Sequence, residues 1–239
     1  MLLNCYMGMN MVNHQNNNYR YERKYFIASA DKREIESMIL IHPALFQEVY
    51  YERYVNNIYF DNIHLDNFMD NLDGSENRAK YRIRWYGDMS AHVEFPILEL
   101  KIKRGLVGTK QTYKLKSFEF DKFISALKLN DIIKHSKVHA GIEYTLLNQL
   151  PVLINRYRRK YYESGDRKFR LTVDDNQSFF RFNILNNSLL QQHTDKSNII
   201  LEMKYDIQHD SEADSITNHF PFRITKSSKY ARGMKQFYC

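Results

Sequence analysis

The sequence is short of the residues that most often announce a function. Its 239 residues include two cysteines, Cys5 and Cys239, near opposite ends. That number and spacing exclude a cysteine zinc cage and argue against a disulfide framework, so a reducing, cytoplasmic compartment is expected. Four prolines and eight glycines leave no Pro/Gly/Ser-rich linker, and a single domain is the expectation. There is no glycine-rich phosphate loop, nucleophile elbow or internal repeat, which excludes the common nucleotide-binding and acyl-transfer motifs. No apolar run approaches the roughly 20 residues that span a bilayer, so no transmembrane segment of its own is expected. Met1 to Asn18 is rich in Met and Asn and lacks the basic start and continuous apolar core of a signal peptide. It reads as a disordered tail, or as an extension upstream of a later start methionine.

What the chain has is positive charge and aromatic rings. Lys and Arg number 35 against 28 Asp and Glu, a net charge of +7, with 18 Tyr and 15 Phe. Such a balance implies an anionic partner: nucleic acid, a phosphorylated metabolite or an acidic membrane. The charge is patterned. In Ala79 to Gly87, Lys80, Arg82 and Arg84 alternate with Tyr81, Ile83 and Trp85. Period two is a strand, here with one cationic and one aromatic-aliphatic face.

The device repeats. Glu22 and Lys24 alternate with Tyr21, Tyr25 and Ile27; Glu99, Lys101 and Lys103 with Leu98, Leu100 and Ile102; Lys110, Thr112 and Lys114 share one face. Arg170, Thr172 and Asp174, with Lys168, oppose Phe169, Leu171 and Val173, while Glu202 and Lys204 oppose Leu201, Met203 and Tyr205. Tyr157 to Tyr161 is basic on both faces, and further strands are expected over Val55–Phe60 and Phe179–Phe182. Asp31 caps a predicted helix running through Leu40. Others are predicted within Asp61–Leu72, from Ser117 with Phe120, Phe123, Ile124 and Leu127 inward, over Ala140–Leu150, and over Asp210–Asn218. Asn186 to Ser197 reads as a polar loop. His42 and His64 sit near element ends and read as structural.

Two architectures fit this pattern. One is an open sheet on helices with its charged face in water. The other curls the strands so that the charges face inward and helices cover the apolar outside. Rows of mostly Lys and Arg repel across neighbouring strands, which calls for a polyanion. Guanidinium forks and mobile ammonium groups bind phosphate oxygens. The glutamates in those rows serve either as charge balance or as hard oxygen ligands for Mg²⁺ or Mn²⁺.

The ordered succession Tyr21-Glu22-Arg23-Lys24-Tyr25, Arg82-x-Arg84, Glu99-x-Lys101 with Lys103, Lys114, Tyr157-x-Arg159, Arg170, Glu202-x-Lys204 and Ser228-Lys229-Tyr230 resembles VTC domains. These are the polyphosphate polymerase domains of the vacuolar transporter chaperone complex and their bacterial relatives. The resemblance covers about Tyr19 to Met234. It implies an α+β triphosphate tunnel, an antiparallel β-barrel with a basic lumen and helices packed outside, over residues 19–239. It also implies metal-dependent transfer of the ATP γ-phosphate to inorganic polyphosphate. The catalytic cations would be Lys24, Arg82, Arg84, Lys101, Arg159, Arg170 and Lys204. Lys103, Lys114 and Lys229 would be further phosphate ligands, and Glu202 the ligand of Mn²⁺ or Mg²⁺. ATP and polyphosphate are then the partners rather than nucleic acid, and a membrane-protein partner is consistent with the eukaryotic complexes. One departure bears on a sister branch. The triphosphatases and cyclases of this fold carry Glu-x-Glu-x-Lys on the first strand, and here the first of those positions is Arg20. A tunnel-fold triphosphatase and a non-catalytic polyphosphate- or nucleotide-binding module remain as alternatives.

Overall fold

A computed structural model describes residues 20–104, 107–183, 189 and 192–238; the expected N-terminal tail lies outside the described residues. In chain order the elements are β1 (Arg20–Ile27), α1 (Lys32–Leu40), β2 (Gln47–Asp61), α2 (Asp66–Leu72), β3 (Arg78–Tyr86), β4 (His92–Val93), β5 (Ile97–Arg104) and β6 (Val107–Lys114). There follow β7 (Phe118–Glu119), α3 (Ala126–Lys134), α4 (Ala140–Leu147), β8 (Leu150–Glu163), β9 (Phe169–Arg181), β10 (Gln192–Asp195), β11 (Ile199–Asp206), α5 (Asp210–Thr217) and α6 (Lys229–Tyr238).

Eight strands form one antiparallel path in the order β1-β11-β9-β8-β2-β3-β5-β6, with β10 added to β9. The path curls into a half-barrel. The side chains of Glu22 and Lys101 lie 3.3 Å apart although β1 and β5 are six steps apart along the path. Among the described residues β1 and β6 do not pair, so a seam of side chains, not a hydrogen-bonded ladder, faces that gap.

Alternation decides what faces out. Tyr81, Ile83, Trp85, Leu98 and Leu100 are buried under α3 and α4 through Leu129, Ile133 and Leu146. Tyr25, Leu171, Val173, Leu201 and Met203 are buried under α1 and α5 through Ile35, Ile39, Ala213 and Ile216. The cap on α1 is Asp31, whose side chain accepts from the Arg33 amide. His42 is buried there, with Nε2 3.0 Å from the Ile216 carbonyl, and the Ala44 amide donates to its Nδ1.

The exception to helices outside is α6. Leu153 has the parity of Asn155, Tyr157 and Arg159, and it packs with Phe179, Tyr230 and Met234. The helix therefore fills one end of the concave side. Gly233 permits this approach: a Cβ there would lie 2.5 Å from Phe179 Cδ1 and 2.6 Å from Leu153 Cδ2.

Four expectations are corrected. The helix predicted from Ser117 begins at Ala126, capped by Ser125, whose side chain accepts from the Lys128 amide. Phe118 and Glu119 pair instead with Val93 and His92. Phe123 and Leu127 are 58% and 80% exposed, and Ala126, Leu129 and Ile133 are the inward set. The strand at Val55–Phe60 extends back to Gln47 through an exposed stretch that has no alternation to read. The strand expected over Phe179–Phe182 is not separate: Phe179 to Arg181 are the end of β9, and Phe182 lies just past it; Asn176, at φ 47°, sits at a bulge that shifts the period. The polar loop contains β10, and part of it lies outside the described residues.

Candidate active site

Antiparallel partners share a face, so register assembles the site. Glu22 opposes Lys204 and Lys204 opposes Arg170; Lys24 opposes Glu202. Across the seam Lys80 opposes Lys101, Lys101 opposes Lys110, and Arg82 opposes Glu99. With α6 at one end, these rows line one cavity. Its wall holds nine cations (Lys24, Lys80, Arg82, Arg84, Lys101, Lys110, Arg159, Lys204 and Lys229) and three carboxylates (Glu22, Glu99 and Glu202), with Tyr59, Tyr157 and Ser228 between them.

Three of the expected ligands stand outside that wall. Lys114 is exposed at the end of β6, in a groove with His135 and Lys137. Lys103 opposes Arg78, one row beyond Lys101. Arg170 shares the row of Lys204, but its side chain is 59% exposed and bonds Glu163 at 3.0 Å. All three have the inward parity but sit where their strands run past the enclosed space. Lys168, which the pattern grouped with them, bonds Glu212 of α5 at 2.8 Å.

The carboxylates hold the cations in place. Glu99 receives Arg82 at 2.6 Å, Lys110 at 2.9 Å and Arg84 at 3.2 Å. Glu202 receives Lys204 at 2.6 Å and Lys24 at 3.3 Å. Burial opposes ionisation of Glu202, but Lys204, Lys24, Arg159 and Lys229 outweigh it and hold the carboxyl well below its ordinary range. Burial likewise works against Asp174, and Arg159 and Lys229 reverse it. Arg159 grips Asp174 in a fork, at 2.5 and 2.6 Å, and Lys229 bonds the same carboxylate at 2.5 Å. Lys229 is aimed by its neighbour Tyr230, which stacks on Tyr59 at 5.1 Å and donates to Asp61. Asp61 in turn accepts from the Asn67 and Phe68 amides at the start of α2.

Lys80 differs. It donates to Ser228 Oγ at 2.9 Å, and among the described residues no carboxylate pairs with it. Burial, then the charges of Lys24, Arg78, Lys101 and Arg82, push its amine down to about 7. The family pattern begins at Arg82 and passes over it, although its parity with Arg82 and Arg84 was the available signal. Ser228 also accepts from the Ala231 amide at 3.3 Å, capping α6. That cap, followed by Tyr230, Met234 and Phe237 at helical spacing, was the signal for a helix the sequence reading did not anticipate. Asp174, too, was visible only as one member of a strand face.

Among the described residues no three His, Cys, Asp or Glu side chains converge on a point, so an all-protein metal cage is not built. Glu202 is ionised and faces the cavity, and Glu22 lies on the adjacent strand. This donor set fits a hard cation that takes one or two carboxylates and completes its shell with phosphate oxygens and water.

Residues 19–238 match the model of the VTC domain family. Among curated proteins, subunit 4 of the vacuolar transporter chaperone complex of Schizosaccharomyces pombe is 25% identical over 200 residues, an alignment covering 70% of this chain and 27% of that protein. The chain thus matches about a quarter of the relative's length. Among solved structures, a Hippeastrum protein described as an adenylyl cyclase with a dominant triphosphatase activity aligns with a TM-score of 0.53 at 13% identity, covering 90% of this chain and 96% of that one. A protein of Vibrio parahaemolyticus described as an adenylate cyclase aligns at 0.50 and 10% identity, over 89% and 96%. These two likenesses concern the fold.

Proposed function

This chain belongs to the VTC domain family, and on that premise we propose that it transfers the γ-phosphate of ATP to a growing inorganic polyphosphate chain. The observation that carries the reading is the excess of nine basic side chains over three carboxylates around one cavity, a surplus that an extended polyanion complements. A terminal oxygen of the acceptor attacks the γ-phosphorus. The new P–O bond forms as the bond to the β,γ-bridging oxygen breaks, and ADP leaves. Such a reaction asks the protein for positioning and charge neutralisation rather than covalent help. Lys24, Arg82, Arg84, Lys101, Arg159 and Lys204 surround the transferring group on this reading, and Lys229 holds a neighbouring phosphate. Arg170, Lys103 and Lys114 guide the anion at the rims. Glu202 holds the divalent cation, Mg²⁺ or Mn²⁺, which supplies further neutralisation when bound. Cytoplasmic ATP is the substrate pool. No helix among the described residues is long and apolar enough to cross a membrane, and a membrane-protein partner enters by analogy with the complex subunit.

The row Lys80, Lys101 and Lys110, with Arg78 and Lys103 beyond it along the seam, supports an anionic acceptor. One feature favours the second reading, a tunnel-fold triphosphatase: α6 fills one end of the curl, which suits a site with a single entrance and water as acceptor. Incubation with ATP, Mn²⁺ and short polyphosphate, followed by gel separation, tests the choice. Elongated polyphosphate with ADP released in step is expected. Free phosphate as sole product, unaffected by added polyphosphate, would decide for the triphosphatase, and no turnover would leave a binding module. Glu202→Gln should lower metal-dependent turnover by at least about a hundredfold while ATP still binds. Unchanged activity across a Mn²⁺ titration would reduce Glu202 to charge balance.

A further inference from the structure

Every other lysine on the cavity wall has a carboxylate: Lys24 and Lys101 have Glu22, Lys110 has Glu99, Lys204 has Glu202 and Lys229 has Asp174. Lys80 has the hydroxyl of Ser228 instead. The groups that face it are Arg78 and Arg82 on its own strand, Lys24 of β1, Lys101 of β5 and Lys110 of β6 beyond it, and Ser228 and Lys229 at the start of α6. Glu22, the acidic group on β1, is engaged by Lys24 and Lys101. The amino end of α6, a helix of 10 residues, adds its own partial positive charge at Ser228. Burial and these like charges both disfavour the ammonium form.

We propose that Lys80 and Ser228 form a proton-coupled seat for one phosphoryl group of a condensed phosphate, in which the bound anion supplies the counter-charge that Lys80 lacks and binds together with a proton. The seat rests on the reading of the cavity as a condensed-phosphate tunnel. A phosphoryl oxygen accepting from Lys80 Nζ supplies the negative charge that the site lacks. The bound amine then has the stabilising counter-charge that every other wall lysine already possesses. The proton comes from solvent and stays on nitrogen, so no bond of the phosphate is altered. Ser228 Oγ holds the amine pointed at the seat in either protonation state, since neutral and charged amines both donate.

The experiment is calorimetric titration of the full chain with tripolyphosphate, without divalent cations, in two buffers of different ionisation enthalpy. The difference in heats gives protons taken up per binding event. At about pH 8 the wild type should take up at least about 0.5 proton more than Lys80→Arg, which is charged throughout, or Lys80→Gln, which never is. The ligand's own protonation is common to all three and cancels. As pH rises above about 7, wild-type affinity should fall relative to Lys80→Gln, with a slope approaching roughly tenfold per unit above about pH 8. Two variants, one charged and one neutral, guard against either one misfolding. Tight binding with equal proton numbers in all three proteins would overturn the seat and leave the polymerase reading standing. Absence of tripolyphosphate binding by the wild type would overturn both.

Discussion

Two corners of the same cavity use positive charge in opposite ways. At one, Arg159 and Lys229 share Asp174, which is fully buried. Two cations there share one buried counter-charge, which fixes their positions. At the other, Lys80 faces Lys101, Lys24 and Arg82 with only a hydroxyl for company. The first corner is organised before anything binds; the second is left unfinished. The comparison teaches that a count of cations does not locate the demand for an anion. That demand lies where the count of counter-charges falls short.

The largest effect should come from breaking the finished corner. Asp174→Asn keeps the size of the side chain but leaves Arg159 and Lys229 buried without a counter-charge. Removing one partner of a buried ion pair costs about 3–5 kcal/mol, and urea unfolding should register that loss. Tripolyphosphate should recover part of it, raising the midpoint more in Asp174→Asn than in the wild type, because the ligand supplies the missing charge. A loss below about 1 kcal/mol would mean that the two corners are alike and that solvent already screens both.

The difference between the corners explains what could be read from the sequence. Alternation over Tyr21–Ile27, Ala79–Tyr86, Ile97–Lys103 and Ile199–Tyr205 located β1, β3, β5 and β11 and named the faces correctly, because a side-chain period of two needs only local chain geometry. It could not say how far each strand stays inside the enclosed space. Lys114, Lys103 and Arg170 have the same parity as Glu99 and Glu202 yet lie beyond the wall, and that depends on strand length and curl. Asp174 was legible as a residue of the inward face, but its engagement by a helix 55 residues later was not. Lys80 was legible as a cation, and its lack of a partner was not, since an absent contact is a property of the assembled rows. Ser117 and Ser125 both precede apolar residues at helical spacing. The choice between them is made by the short pairing of Phe118 with Val93, a tertiary contact.

Lys80→Met should move stability the other way. The folded-state amine is held near 7, below its ordinary 10.5. The charged form is therefore disfavoured by folding. That destabilisation is fully present below about pH 7 and disappears as pH rises toward the ordinary value. Methionine removes it, so the ligand-free variant should be more stable than the wild type at about pH 6. The gap should close above about pH 10. The same variant should bind tripolyphosphate more weakly at neutral pH. A variant less stable than the wild type at pH 6 would show that the Ser228 bond, and not the charge, dominates this corner.

The smallest effect belongs to the seam, where Lys101 meets Glu22 at 3.3 Å with the lysine side chain 56% exposed. Exposed pairs contribute about 0–1 kcal/mol, so Lys101→Met should change stability near neutral pH by less than roughly 0.5 kcal/mol. Its mark should appear in acid. Burial raises the Glu22 carboxyl and the Glu202 charge adds to that, but Lys24, Lys101 and Lys204 prevail and hold it at about 2, against an ordinary value of 4.5. A carboxyl depressed on folding contributes stability that is present above the ordinary value and lost as pH falls toward the folded one. With Lys101 gone, Lys24 and Lys204 still hold Glu22 down, and the carboxyl should rise by only part of its depression. The acid limb of the stability curve should therefore still begin near pH 4.5, the ordinary value, but its lower end should move from about pH 2 to higher pH, so that less stability is lost across it. Urea midpoints across that range, with a carboxyl titration of Glu22 by NMR, measure both. A plateau that drops by more than about 1 kcal/mol would make the seam pair part of what closes the curl. An acid limb that does not move would leave Lys101 free for the anion alone.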